Sequence, residues 1–325
     1  MTFDERVQAV TTFGFTERQA AFLVTVMLHA GVCLGRHYCT FAGLAYGRKM
    51  HDFFERVVTG RYGTAQTCRH NKARIYHIHN KRLYAAIGEP DNRHRKPTPF
   101  PRAVERLMVL DAVLAHRDRT WLATESDKLA HFTLNHRVPR SDLPSLTFRA
   151  EDCETVRYFP DKLPIAIDTD DRGHLFVYLV TRLAPVDFRA FLERHVELLR
   201  ALPVWTLRLL VPRHLEGGVT AYHAAFREHV AMPLRPGTLE ELRWYFRARQ
   251  SAPEDAEQRF DEASRAFNAP RFQALYRAWM ERGDPVLEAT LSPVLRDAIE
   301  RRAGRIEHHV LPHHYLHLSP LVGTA

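Results

Sequence analysis

Apolar positions recur at helical spacing near the start of the chain. Phe22, Leu23, Val26, Met27 and Ala30 form one stripe, and Thr16-Glu17-Arg18-Gln19 ahead of them has the form of a capping box, which predicts a helix starting there. Gly31 is placed to end it. A short helix over Gly35 to Ala42, a turn around Gly43 and Gly47, and a third helix over Arg48 to Thr59 follow. The third helix directs Met50, Phe53, Phe54, Val57 and Val58 inward and leaves Arg48, Lys49, Asp52 and Arg56 toward solvent. Gly60-Arg61-Tyr62 closes this helix, and two β-like runs, Gly63 to Arg69 and Arg74 to His79, flank the polar turn His70-Asn71-Lys72-Ala73. Helix, turn, helix and hairpin in this order read as a winged helix, with Tyr76 and Tyr84 packing the wing against the core.

Beyond Glu89 to Pro101, a proline-rich and basic stretch that reads as a linker or a backbone-tracking arm, the pattern changes. A mostly apolar helix begins at Arg102 and contains Glu105. Three β-like runs follow, at Thr155 to Phe159, Leu163 to Asp168 and His174 to Thr181, the last two joined as a hairpin. A helix over Asp187 to Leu202 and a buried strand over Val204 to Val211 complete an αβββαβ order. The last third reads as helices at Leu239 to Arg249, Ala256 to Phe267, Pro270 to Arg282 and Pro293 to Arg305, with an aromatic stripe that is core or a surface for a protein partner or self-association.

Charge sharpens the reading of the first third. Between Arg36 and Arg106 there are fifteen Lys or Arg against five Asp or Glu, a local balance of about +10 that exceeds the net +8 of the whole chain, so the positive charge is focused there. A focused basic segment fits a phosphate-facing surface. The 45 % hydrophobic and 26 % charged composition is that of a folded chain rather than a disordered one. No apolar stretch is long enough to span a membrane, and the acidic start does not resemble a signal peptide, so a cytoplasmic protein is expected. Cys33, Cys39, Cys68 and Cys153 show no paired spacing and are expected to be reduced thiols.

Candidate chemistry is sparse. There is no phosphate-binding loop, dinucleotide fingerprint or nucleophile elbow. The tail histidines His308, His309, His313, His314 and His317 are interrupted by Pro312, which argues against a helical zinc site. Phe159-Pro160-Asp161 entering a hairpin resembles the core of PD-(D/E)XK nucleases, which hold Mg²⁺ between two acids and use a Lys beside them. Here Tyr178 and Val180 stand where the second acid and the Lys belong, so an inactive nuclease-like domain is expected, with no cofactor and no metal. A migrated nuclease site would draw on Asp161, Asp168, Asp170 and Glu105, although Gly173 beside Asp168, Asp170 and Asp171 favours a solvated turn.

Taken together, the winged helix from Phe15 onward and the degenerate nuclease hairpin resemble the replication-relaxation proteins of plasmids and other mobile elements, over about residues 15 to 211. The resemblance implies DNA binding in maintenance, mobilisation or replication of such an element. The expected organisation is α+β: a winged-helix domain with a basic linker over 1–98, a nuclease-like αβ domain over 99–215, and a helical region over 216–325. Double-stranded DNA is the expected partner, contacted by Arg48, Lys49, Asp52 and Arg56 on the third helix, Asn71, Lys72 and Arg74 at the wing, and Arg95 and Lys96 in the basic stretch. A metal-dependent nuclease and a protein-interaction adaptor are the alternatives.

Overall fold

The computed structural model describes residues 1–68, 73–150, 153–168, 173–231, 236–251, 256–268, 270–289 and 298–315. Asn71, Lys72, Asp170, Asp171 and His317 lie outside these, as does the first part, 293–297, of the expected helix at 293–305. The chain is a mixture of helices and sheets that divides into two compact units, one formed by residues 1–123 with 310–325 and the other by 124–309. Among the described residues no helix is long and apolar enough to cross a membrane.

Unit 1 contains α1 (Phe3–Thr11), α2 (Glu17–His29), β1 (Val32–Leu34), α3 (Gly35–Ala42), α4 (Arg48–Thr59), β2 (Gly63–Thr67), β3 (Arg74–Ile78), α5 (Lys81–Ala86), α6 (Phe100–Ala115) and β4 (Thr120–Leu122). The Thr16 capping box starts α2: the Gln19 amide donates to the Thr16 hydroxyl and the Thr16 amide donates to the Gln19 side chain at 3.1 Å. Gly31 ends α2 at φ +70°, and a Cβ there would meet the His94 carbonyl at 2.5 Å, so backbone conformation and close packing both demand glycine. That packing corrects the linker reading of Glu89 to Pro101: His94 is buried in a short 3₁₀ turn, and its carbonyl contacts His77 Nε2 at 2.9 Å.

Strands β1, β3 and β2 form an antiparallel sheet in that order, with Val32 opposite His77 and Thr67 opposite Arg74. Between sheet and helices lies an aromatic core. Tyr38 stacks on Phe53 at 4.2 Å, and Phe54 stacks on Tyr76 of β3 at 3.8 Å. On α4 the buried stripe is Met50, Phe53, Phe54 and Val57, whereas Val58, expected inside, is 38 % exposed. Adjacent helical residues point about 100° apart, so Val57 and Val58 cannot share the stripe. Unit 1 is also tied by the Asp111 carboxylate on α6, which accepts from both Arg36 nitrogens, from His37 and from the Tyr315 hydroxyl of the C-terminal segment.

Unit 2 contains α7 (Glu125–Ala130), β5 (Ser145–Ala150), β6 (Cys153–Tyr158), β7 (Ile165–Ile167), β8 (Gly173–Leu179), α8 (Val186–Ala201), β9 (Val204–Val211), α9 (Val219–Phe226), α10 (Pro236–Ser251), α11 (Glu257–Ala266), α12 (Pro270–Arg282), α13 (Pro285–Ala289) and β10 (Gly304–Val310). Strands β5 and β6 form a separate hairpin, so the run expected at Thr155 to Phe159 does not join the other two. The expected hairpin of the second and third runs is antiparallel β7–β8, and β8 continues through α8 to parallel β9. Every residue of β8 is buried, which explains its unbroken apolar character. The helix expected up to Arg305 gives way to β10 next to β9, where Gly304 lies so close to the Trp205 ring that a Cβ would sit 2.4 Å from it. The aromatic stripe of the last third is core: Tyr245, Phe246, Phe267 and Trp279 pack with Leu242, Leu275 and Leu287.

His195 on α8 is buried against Phe191, which it stacks upon at 3.9 Å, and its Nδ1 contacts the Phe191 carbonyl at 2.9 Å. Burial lowers its pKa to about 4. The unfolded imidazole takes up its proton below about pH 6.5 and the folded one does not, so stability falls as the pH drops from 6.5 toward 4, by about 3 kcal/mol in total. Urea unfolding as a function of pH should show this loss in the wild type and its absence in His195→Gln.

Candidate nucleic-acid interface

The interface builds from the first turn of α4. Its N-cap is Gly47, which provides no side-chain hydrogen bond, and no acidic residue occupies the first turn. Arg48 and Lys49 stand there instead, two cations at the positive end of the helix dipole. This arrangement costs helix stability and is relieved by an anion. Arg48 is 93 % exposed and reaches only Asp52, at 3.8 Å, a separation that contributes little at the surface. Lys49 and Asp52 are exposed as well. Two further groups join this end of the helix: Tyr46, 68 % exposed, and His51, with ring centroids 5.6 Å apart. Sequence reasoning passed over both because Tyr46 precedes the helix among turn residues and His51 has no periodic partner.

Beside α4 lies an open hollow of about 1010 Å³, whose charged lining is Glu17, Arg18, Lys49, Asp52, Arg56 and Arg117. Three of these cations are already engaged. Arg18 donates to the Ala42 carbonyl at 3.2 Å and Arg117 to the Phe41 carbonyl at 2.6 Å, where they cap the C-terminal end of α3. Arg56 lies over the Phe15 ring at 5.5 Å and reaches Gln19 at 3.4 Å, so it is drawn away from the first turn of its helix. Of the cations that line the hollow, Lys49 is the one at its helix-start end, next to the exposed Arg48.

At the hairpin, Thr64 to Thr67 and Arg74 are exposed, while Asn71 and Lys72 lie outside the described residues. Tyr76 and Tyr84 are buried, the latter donating to the Ile78 carbonyl at 3.2 Å. In the basic stretch, Arg95 is half-buried and Lys96 exposed. Its neighbour Arg93 belongs to a group with Arg102 and Arg106: burial, then repulsion from those two guanidinium groups, lowers the Arg93 pKa to about 10. Clustered guanidinium groups also favour a bound anion.

The acids of the nuclease alternative are dispersed. Asp161 is bound by Arg194 at 2.6 Å, Glu105 is in unit 1 beside Arg102 at 3.5 Å, and the Asp168 amide donates to the Gly173 carbonyl at the end of the β7–β8 hairpin. Among the described residues no carboxylate joins a group able to hold a cation. Cys33, Cys39 and Cys68 are free thiols, Cys33 and Cys68 buried and Cys39 half-buried. Comparison of the chain with protein-family models, curated proteins and solved structures finds no match.

The Asp161–Arg194 pair is only about one-fifth exposed on either side. Removing the acid leaves a poorly solvated guanidinium, so Asp161→Asn should lower stability by about 1–3 kcal/mol in chemical denaturation. A variant as stable as the wild type would show the pair to be neutral.

Proposed function

We propose that unit 1 is a winged helix-turn-helix that binds double-stranded DNA, with α4 as the reading helix. Two lines of support come from the order of its elements. The succession α2, β1, α3, α4, β2, β3 and the sheet order β1-β3-β2 match a helix-turn-helix whose hairpin wing returns beside the first short strand. The single observation that carries the reading is the start of α4, where two outward cations stand at a helix end that has no side-chain cap and no acid in its first turn. Arg48 and Lys49 are then the base readers, Arg74 a backbone contact, and Lys96 with the Arg93, Arg102 and Arg106 group an additional source of positive charge. The resemblance to replication-relaxation proteins implies work on a plasmid or other mobile element, by binding rather than catalysis. The engagement of Asp161 by Arg194 supports a scaffold role for unit 2.

Contact with about 5 to 8 phosphates would make binding fall with a log–log salt slope of about −5 to −7. A fluorescence-anisotropy titration of duplex DNA against salt checks this, and a slope near zero would refute DNA binding.

Arg48→Ala with Lys49→Ala should erase preference among sequences, at about 1 to 3 kcal/mol for each bidentate base pairing removed, whereas Arg74→Ala should weaken all sequences equally. Selection of bound sites from a random duplex pool, followed by competition with non-specific DNA, separates the two. Equal loss of specific and non-specific binding in both variants would rule out this division of roles.

A further inference from the structure

The segment after α7 makes one wide turn over His131–Asn135, closed by a bond from the His136 amide to the His131 carbonyl at 3.3 Å. An i to i+5 closure of this kind is rare and concentrates at functional sites. Its effect here is specific. In a regular helix, residues five apart point about 140° away from each other, whereas the wider turn brings the His131 and His136 rings to 4.6 Å. The start of β8 supplies a third ring, His174, at 4.7 Å from His136 and 5.2 Å from His131. One ring nitrogen of each lies within 4.8 Å of the other two, and His131 and His174 meet Nε2 to Nε2 at 2.9 Å.

We propose that His131, His136 and His174 form a metal site for a divalent transition ion of the zinc class, with water or an external ligand completing the coordination. A hydrogen bond between His131 and His174 accounts for two of the three converging nitrogens. It leaves out His136, whose Nε2 is buried with no hydrogen-bond partner. A metal ion accepts all three lone pairs at once. In tetrahedral coordination, bonds of about 2.0–2.1 Å put the nitrogens about 3.3 Å apart, so the His131–His174 pair is close to the required spacing already. His136 has the latitude to close the remainder because it is half-buried at the end of the turn, whereas the other two are fixed in the interior.

The surroundings suit a bound ion. Phe132 packs its ring against all three imidazoles, at 5.0 Å from His131, 5.4 Å from His174 and 6.3 Å from His136, and stacks on Phe159 beyond them. This apolar wall limits the access of solvent to the three ring nitrogens. Three nitrogen donors without a carboxylate select a borderline ion over Mg²⁺ or Ca²⁺. Among the described residues no fourth His, Cys, Asp or Glu joins the group, which is the pattern of a site with an exchangeable position rather than a closed structural one.

The test uses the untagged full chain, stripped with chelator and dialysed against zinc. One zinc per chain is expected by elemental analysis, with a rise in melting temperature on zinc addition because the ion would join β8 to a segment about forty residues earlier in the chain. Cobalt in its place should give the intense visible absorption of a tetrahedral site. His136→Ala, at the least buried of the three positions, should keep the helical circular dichroism of the wild type and bind zinc at least about tenfold more weakly. The His308→Ala with His309→Ala variant, at the other histidine-rich segment, should bind as the wild type does. Absence of stoichiometric zinc from the wild type, or a loss of less than tenfold in folded His136→Ala, overturns the proposal. These readouts require no DNA and are independent of the function assigned to unit 1.

Discussion

The arrangement of unit 1 depends on one carboxylate. Asp111 projects from the middle of α6 and gathers donors from places far apart in the chain: Arg36 and His37 in the first turn of α3, and Tyr315 near the end of the described residues. Burial by itself would raise the carboxyl pKa, but the hydrogen bonds from His37 and Arg36 and their charge hold it well below the usual carboxylate range. Asp111 is thereby ionised throughout the physiological range and anchors α3. Helix α4 follows α3 after one turn and packs on it through Tyr38, Phe53 and Phe54, so the orientation of the proposed reading helix is inherited from this buried contact. His37, in turn, is fully buried; burial lowers its pKa against the opposing pull of the hydrogen bond and charge of Asp111.

Cations in unit 1 fall into two populations. Arg18, Arg36, Arg56 and Arg117 are spent on the fold itself, satisfying helix-end carbonyls, a buried acid and aromatic faces. Arg48, Lys49 and Lys96 face outward. Net charge by itself overstates the surface that can meet a phosphate backbone, because a guanidinium already held by a carbonyl or carboxylate is both less mobile and partly neutralised.

Unit 2 makes a different use of polar groups. Around strand β8 it buries Lys128, whose ammonium donates to the Leu163 carbonyl at 2.7 Å and faces the Phe159 ring, and it buries the pair formed by Glu193 of α8 and His229 of the turn after α9. Buried charges of this kind define a unique packing more than they stabilise it, since each must find its partner before the core can close. The three histidines beside β8 converge in the same unit, and the Nε2 of His136 is buried there with no hydrogen-bond partner.

The elements set by local chemistry were legible in the chain. The Thr16 capping box, the α4 stripe of Met50, Phe53, Phe54 and Val57, the β7–β8 hairpin and the run Val204 to Val211 each depend on neighbours within a few residues, and so does the cationic start of α4. Other features had no local signal. Strand β1 has three residues and exists because β3 pairs with it; β10 replaces part of an expected helix because Gly304 fits against Trp205; the basic stretch is pinned because Gly31 admits His94. The convergence of His131 and His136 with His174 needed both an unusual turn and a strand over thirty residues away. Periodicity and capping act over a single helical turn, so they could be read for the helices and strands that carry such a local pattern, and the focus of positive charge could be read by counting. Which strands pair, whether a short segment such as β1 or β10 becomes a strand, which arginines are engaged and which histidines meet all depend on contacts between distant residues, and these exist only once the chain has folded.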